Sequence, residues 1–212
     1  HAPDEVCQTD ILHEEKMSTD SQYKKIYDDF NRKWANGDFE NIKKKAAGTV
    51  YQVPVVVHVL HEGEAIGTGF NISDAEVKNG IEYLNNYWRK VSGTYGGQAP
   101  GGANSADMEM EFALAVRDES GNCTDGIVRR DLSSNSSYTS CGINRSSCGI
   151  SDATAKTGGW DQSEYYNIYL VNYIDGNNCY TGGSYIAGYA YYSSAHGASY
   201  DGTVCLICSY VD

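Results

Sequence analysis

The sequence predicts an α/β (α+β) domain in which a helical N-terminal segment precedes a twisted, mixed, five-stranded sheet backed by helices. Two observations predict this class. Residues 53–60 form a continuous apolar run, which is the pattern of a strand buried on both faces. An amphipathic helical segment and further strand-like segments follow that run. A strand, a helix and then more strands are typical of a sheet covered by a helix.

The helical N-terminal segment extends from about residue 10 to residue 47. Apolar side chains recur there at spacings of three to four residues, at Ile11, Leu12, Tyr23, Ile26, Tyr27, Phe30 and Trp34. Gly37 is expected to end the helix. The basic run of residues 43–45 is either a solvated linker or an exposed processing site, because cleavage belongs at a boundary between segment and domain.

The sheet and its covering helix come next. Ser73 and Glu76 have the spacing of a capping box. The apolar stripe of Val77, Ile81, Leu84 and Trp88 should therefore belong to a helix that packs on the sheet. Residues 108–116 alternate as a half-exposed strand does. Three further strands are predicted, centred on Ile168, Gly188 and Val204.

Residues 118–159 are rich in Ser, Asn and Gly and carry three of the seven cysteines. They are predicted to form a long loop held by cross-links. Six cysteines lie in the second half of the chain and allow 15 pairings, of which Cys141 with Cys148 closes a short loop. Cys7 stands apart and is the candidate for the thiol that an odd count leaves over.

The composition limits the class of function. The chain has 28 acidic and 16 basic residues and a net charge of -12, which argues against nucleic acids and anionic membranes as partners. No apolar run is long enough to cross a membrane. Cysteines, 18 tyrosines and few charges are typical of a secreted, extracellular protein with disulfides. A chain that begins at His1 is expected to be processed already.

The histidines do not predict a metal centre. His58 and His61 are three residues apart on a strand, so their side chains point to opposite faces and cannot converge on one ion. His58 is expected to be a core histidine with a hydrogen-bond partner. No set of three His or carboxylate ligands converges in the sequence, so the chain is expected to supply no catalytic zinc site of its own. No pattern of a catalytic nucleophile or of a phosphate-binding loop is evident.

Several segments, taken in order over nearly the whole chain, resemble pappalysin-type metzincin metalloproteases. These segments are Cys7-Gln8-Thr9-Asp10, residues 53–59, Asn71-Ile72-Ser73-Asp74, Thr124-Asp125-Gly126-Ile127-Val128-Arg129, Trp160-Asp161, Tyr166-Asn167-Ile168-Tyr169, Gly188-Tyr189-Ala190 and Asp201-Gly202-Thr203-Val204. The resemblance implies a zinc endopeptidase with its cleft between two subdomains. Residues 1–48 would be a pro-segment and residues 49–212 the N-terminal subdomain of the catalytic domain. Its HExxH helix is not in the sequence.

The resemblance also implies a substrate-binding strand at residues 186–191. A protein or peptide substrate would add to it as an antiparallel strand through backbone hydrogen bonds. Gly188, Tyr189 and Ala190 are the candidate contacts, since Gly188 and Ala190 leave the backbone reachable. The alternative is an ordinary edge strand.

Cys7 is the one metal ligand that the resemblance places in this chain. A thiolate can take the fourth position on zinc and displace the catalytic water, which would keep a protease latent. Gln8 stands where the family usually has Gly, and Gln resists the backbone turn that Gly permits. The alternatives are an unpaired thiol or one in a disulfide. Calcium is a second cofactor suggested by the resemblance, although no segment has the pattern of a calcium-binding loop.

Two functions of different classes remain open at this stage. In the first, the chain is the pro-segment and N-terminal subdomain of a secreted endopeptidase, inactive without the remainder of its catalytic domain. In the second, it is a secreted, non-enzymatic binding module that self-associates through an exposed strand edge. Neither function calls for nucleic acid or for membrane insertion.

Overall fold

The computed structural model describes residues 5–6, 9–37, 49–91, 107–176, 185–190 and 201–206. Two helices, α1 (Thr9–Thr19) and α2 (Ser21–Ala35), form the N-terminal segment. The carboxylate of Asp20 accepts hydrogen bonds from the N–H groups of Gln22 and Tyr23, both at 3.0 Å, so a new helix starts there. Gly37 has a φ of 73°, which confirms it as a stop after α2.

The main sheet has six strands. They are β2 (Tyr51–His61), β3 (Met110–Leu114), β4 (Ile127–Asp131), β5 (Tyr166–Val171), β7 (Gly188–Ala190) and β8 (Asp201–Cys205). The order is β3-β2-β5-β8-β7, and β4 pairs with the second half of β2. All pairs are parallel except β7 with β8. The mixed class is confirmed, with one strand more than the five predicted.

Helix α3 (Asp74–Trp88) packs on this sheet, and its capping box at Ser73 and Glu76 is confirmed. The ring of Trp88 meets that of Phe112 on β3 edge to face, at 5.4 Å. Arg129 on β4 donates to Asn71 at 2.6 Å and pairs with Asp74 at 2.6 Å, next to the start of α3. Two segments that carry the family resemblance therefore meet in space, although 55 residues separate Asp74 from Arg129.

The prediction of one long loop at residues 118–159 is wrong. The segment contains β4 and two short helices, α4 (Ser136–Cys141) and α5 (Asp152–Ala155). The side chain of Asn135 caps α4 and that of Ser151 caps α5, so polar residues that suggested a loop start helices instead. The predicted Cys141–Cys148 disulfide is confirmed.

The two faces of the sheet have different coverings. On the α3 face, Val55, Val57, Val59, Ile168 and Leu170 form a cluster with Val77 of α3. On the opposite side, which we call the loop face, Leu60, Tyr169 and Val171 pack against residues of α1, α4, α5 and the disulfide loop. In the described parts of the chain, no helix combines the length and the apolar character that crossing a bilayer requires.

Candidate substrate-binding edge and its blocking strand

The predicted substrate-binding strand is divided into two pieces. Its first piece, β6 (Tyr185–Ile186), pairs in parallel with β1 (Glu5–Val6), and Val6 lies opposite Ile186. Its second piece is β7, the border strand of the main sheet, which is antiparallel to β8. Between them, the carbonyl oxygen of Ala187 accepts a hydrogen bond from the N–H of Cys205 at 2.8 Å. The N-terminal segment therefore occupies one edge of this strand.

The three candidate contact residues lie on β7, and the side chain of the middle one is buried. Tyr189 is 4% exposed and its hydroxyl donates to the carboxylate of Asp152. Its ring lies 4.8 Å from the guanidinium of Arg145 and 4.9 Å from the ammonium of Lys156. Burial and the neighbouring Asp152 raise the pKa of Tyr189 well above its usual value. The Tyr189 side chain therefore belongs to the core.

The packing of β7 against β8 explains why residue 188 is a glycine. A Cβ at this position would lie 2.5 Å from the carbonyl oxygen of Thr203 on β8, so any larger residue would push the two strands apart. The close approach of β7 to β8 is enough to explain the glycine. A role of Gly188, Tyr189 and Ala190 in binding a peptide remains a prediction.

Cys7, the predicted metal ligand, lies outside the described residues, as does Gln8. The elements on either side of Cys7 are described: β1 ends at Val6 and α1 begins at Thr9. Both of these elements are attached to the remainder of the domain, β1 by its pairing with β6 and α1 by side-chain packing.

Helix α1 is anchored on the loop face. Leu12 is 2% exposed and belongs to the same buried cluster as Ile143, Ile186 and Tyr189. Complete burial of a leucine stabilises by about 2 kcal/mol. Glu15, on the same helix, lies 3.8 Å from the guanidinium of Arg145. Residues assigned to a pro-segment by the sequence are thus part of the folded core.

The prediction for His58 is confirmed. The side chain is 4% exposed, its Nε2 lies 2.7 Å from Oδ1 of Asn167, and its ring stacks on Tyr169 at 4.6 Å. Burial lowers the pKa of His58, although the hydrogen bond to Asn167 opposes the shift. His61 turns back on its own loop, where Nδ1 accepts from the N–H of Gly63 at 3.1 Å.

The family resemblance implied zinc and suggested calcium as cofactors. Among the described residues, no group of three His, Cys, Asp or Glu side chains could hold a metal ion. These residues therefore supply no three-ligand zinc centre and no support for a calcium site.

The sequence did not reveal a buried ionic cluster on the loop face. Lys156 lies 3.0 Å from a carboxylate oxygen of Asp152 and 2.5 Å from Oδ1 of Asp201. Asp201 is 2% exposed, and burial raises its pKa although Lys156 opposes the shift. Lys156 and Asp201 are 45 residues apart, so no local pattern indicates that they meet.

Three solved structures share this architecture. A promirolysin mutant of Tannerella forsythia matches with a TM-score of 0.63 and 20% identity, over 94% of this chain and 58% of that one. Mature mirolysin of Tannerella forsythia in complex with a cleaved peptide matches with a TM-score of 0.54 and 25% identity, over 74% and 53% of the two chains. Mirolysin in complex with compound 9 gives 0.55 and 24%, with the same coverage.

This chain shares the fold of one part of mirolysin. The sequence motifs predicted a resemblance to pappalysin-type metzincins, and the fold confirms it. The chain is related to a region of a metzincin protease. It spans little more than half the length of the mirolysin structures that it matches. The comparisons with protein-family models and with curated proteins give no match.

Proposed function

We propose that this chain comprises the pro-segment, residues 1–48, and the N-terminal subdomain, residues 49–212, of a secreted zinc-dependent endopeptidase. One observation carries the proposal. The match covers 94% of the chain with promirolysin but 74% with mature mirolysin, a difference of about 42 of its 212 residues. This difference is close to the length of the segment that the sequence assigned to a pro-segment.

The position of β1 supports a latent state. A peptide that adds to β6 as an antiparallel strand needs the same backbone groups that β1 uses in parallel. Substrate and pro-segment therefore compete for one edge. Removal of residues 1–48 would free the edge at Tyr185 and Ile186, next to the β7 backbone proposed to bind the peptide.

The zinc ion of this proposal would be bound mainly by the remainder of the catalytic domain, since the described residues form no zinc centre. From this chain, we propose Cys7 as a ligand that holds the precursor inactive. β1 and α1 fix the chain on both sides of Cys7, which would favour binding by reducing the entropy lost when the thiolate meets the metal. The proposal includes no calcium site.

The α3 face offers a surface on which the remainder of the catalytic domain would pack. A cavity of about 520 Å³ lies between α3 and the sheet, lined by apolar side chains that include Ile168, Leu170 and Val204. These three side chains are half-buried, whereas Asn167, Tyr169 and Val171 on the loop face of β5 are buried. Covering the apolar cavity would stabilise the domain by removing this surface from water.

The test uses the natural full-length protein. Zinc content and casein cleavage are measured before and after removal of residues 1–48, and again for Cys7→Ala. We expect one zinc per chain, little cleavage by the precursor, and at least about tenfold more cleavage after processing or in Cys7→Ala. A matched control, Cys123→Ala, changes an exposed cysteine on another part of the surface and should stay latent. A processed protein without zinc or peptidase activity would refute the proposal.

The alternative of a self-associating binding module has an observation against it. The edge strand proposed for assembly carries β1 at Tyr185 and Ile186, so a second copy would first have to displace the protein's own N-terminal segment. The endopeptidase proposal explains this contact, because a latent protease needs its cleft covered.

A further inference from the structure

The two borders of the main sheet differ in what covers them. One border is β7, which follows β6, the short strand that pairs with β1. The other border is β3, which pairs with β2 alone among the described strands and therefore has one side without a partner strand. An unpaired border of this kind presents backbone N–H and C=O groups to which a strand of another molecule can add.

The pairing with β2 determines which backbone groups of β3 face outward. Tyr51 lies opposite Met110 and donates to the carbonyl of Glu109 at 2.9 Å. In a parallel pair, a residue bonds to the residues before and after the one opposite to it, so Met110 itself directs its groups away from β2. The direction alternates along the strand, and Phe112 and Leu114 therefore face outward as well.

The outward groups of Phe112 are bonded to a side chain of α3. Nδ2 of Asn85 donates to the Phe112 carbonyl at 2.9 Å, and Oδ1 accepts from the Phe112 N–H at 2.7 Å. These are the same two bonds that an antiparallel neighbouring strand makes with one residue of a border. Among the described residues, none makes a hydrogen bond to the outward groups of Met110 or Leu114.

Two further residues of α3 hold β3 in place beside Asn85. The ring of Trp88 packs edge to face on that of Phe112 at 5.4 Å, and Arg89 pairs with Glu111. Because α3 and β3 are already fixed relative to each other, the Asn85 side chain loses little further freedom when it bonds to Phe112. The two hydrogen bonds are therefore a stable part of this border.

We propose that Asn85 closes the β3 border to strand addition by a second copy of this chain. Its amide occupies the middle of the three outward residues, so an added strand would find only the two ends of β3 available. Without that amide, two β3 strands would pair antiparallel about a two-fold axis, because a symmetric contact lets each copy use the same border. The inference is independent of the endopeptidase proposal, since it uses neither the edge at β6 and β7 nor Cys7.

Sedimentation velocity of the natural full-length protein and of two variants, between about 1 and 100 μM, tests the proposal. Asn85→Ala removes both hydrogen bonds, and Asn79→Ala makes the same change at an exposed asparagine of α3. We expect Asn85→Ala to associate, with half of it dimeric below about 100 μM. The natural protein and Asn79→Ala should keep the same sedimentation coefficient throughout. If Asn85→Ala does not fold, Asn85→Asp replaces it, because an ionised carboxylate cannot donate to the Phe112 carbonyl, and the same association is expected.

Amide hydrogen exchange resolved to single residues locates the contact. In the natural protein, the N–H of Phe112 should exchange at least about tenfold more slowly than those of Met110 and Leu114. In Asn85→Ala, the amides of Met110 and Leu114 should slow at least about tenfold between about 1 and 100 μM. The proposal is overturned if Phe112 exchanges as fast as Met110 and Leu114 in the natural protein, or if a folded Asn85 variant does not associate. Association that leaves the Met110 and Leu114 amides unchanged would overturn it as well.

Discussion

The two faces of the sheet bury different kinds of side chain. The loop face buries several polar groups together with their partners: Asn167 accepts from the N–H of Trp160 and donates to its carbonyl, both at 2.9 Å. The Tyr138 hydroxyl donates to the carbonyl of Leu60 at 2.8 Å. The α3 face buries aliphatic side chains, and α3 leaves a cavity of about 520 Å³ beside them.

This difference indicates where a further apolar element would pack. Polar networks require each group to find its partner, so a face that contains one is determined in detail by this chain. An aliphatic face with half-buried strands gains further stability from any apolar element that covers it. The α3 face is therefore the one on which, under the proposed function, the remainder of a catalytic domain would pack.

The largest expected effect is the loss of the cation in the loop-face ionic cluster. Lys156→Met leaves the carboxylate of Asp201 buried without its ammonium and removes the ammonium from the half-buried Asp152, and we expect a loss of about 4 kcal/mol in the free energy of unfolding at pH 7. Protonation of Asp201, whose pKa is raised by burial, should reduce the loss at pH 5. Urea denaturation at both pH values measures the effect.

An exposed helix pair provides the control for that variant. Lys24 lies 3.2 Å from Asp28 with both side chains more than half exposed, so Lys24→Met should cost less than about 0.5 kcal/mol. A loss of similar size in the two lysine variants would contradict a buried cluster.

A matched pair of leucines compares the two faces directly. Leu60 on β2 is 1% exposed on the loop face, and Leu60→Ala should cost about 3 kcal/mol. Leu170 on β5 is half-buried beside the α3 cavity, and Leu170→Ala should cost about 1.5 kcal/mol in the isolated chain. Denaturation of both variants should give this order. In the full-length protein the two losses should become similar, because the remainder of the domain would bury Leu170.

Local patterns in the sequence predicted the elements that local interactions determine. The apolar run of β2, the capping box at Ser73 and the stripe of α3 needed no information from distant residues. The stop at Gly37 was equally local, although the break at Asp20 was missed because the apolar spacing continues through it.

The elements that were missed depend on contacts far away in the sequence. β4 carries Arg129 and Arg130 and looks too polar for a sheet, but each arginine has distant partners, Arg129 at the start of α3 and Arg130 at the carbonyls of Thr154 and Thr157. β4 also pairs with β2, from which it is separated by α3 and β3. The cluster around Asp201 was missed for the same reason, and the pairing of β1 with β6 joins residues that are 180 positions apart.

A smaller loss tests the hydrogen-bond network of the loop face. Tyr138→Phe removes a hydroxyl that donates to the Leu60 carbonyl and accepts from the N–H of Asn172 at 3.2 Å. Both backbone groups would remain buried, so we expect a loss of about 2 kcal/mol by urea denaturation. Tyr83→Phe, on a side chain that is 57% exposed on α3, should change stability by less than about 0.5 kcal/mol. Equal losses would show that the network contributes nothing beyond packing.

The smallest expected effect is a pH dependence at His58. Burial lowers the pKa of this imidazole in the folded state below its value of 6.5 in the unfolded chain. The unfolded state therefore binds the proton first as pH falls. The stabilisation is present in full above pH 6.5 and is lost progressively as the pH falls through the folded-state pKa.

We expect the free energy of unfolding to decline below pH 6.5 in the natural protein and to decline less steeply in His58→Gln. Urea denaturation between pH 7.5 and 5 measures both slopes. Identical slopes would mean that the pKa of His58 is the same in the folded and unfolded states. The loop face would then accommodate a charged imidazole as well as water does, which would contradict the cost expected for a buried charge.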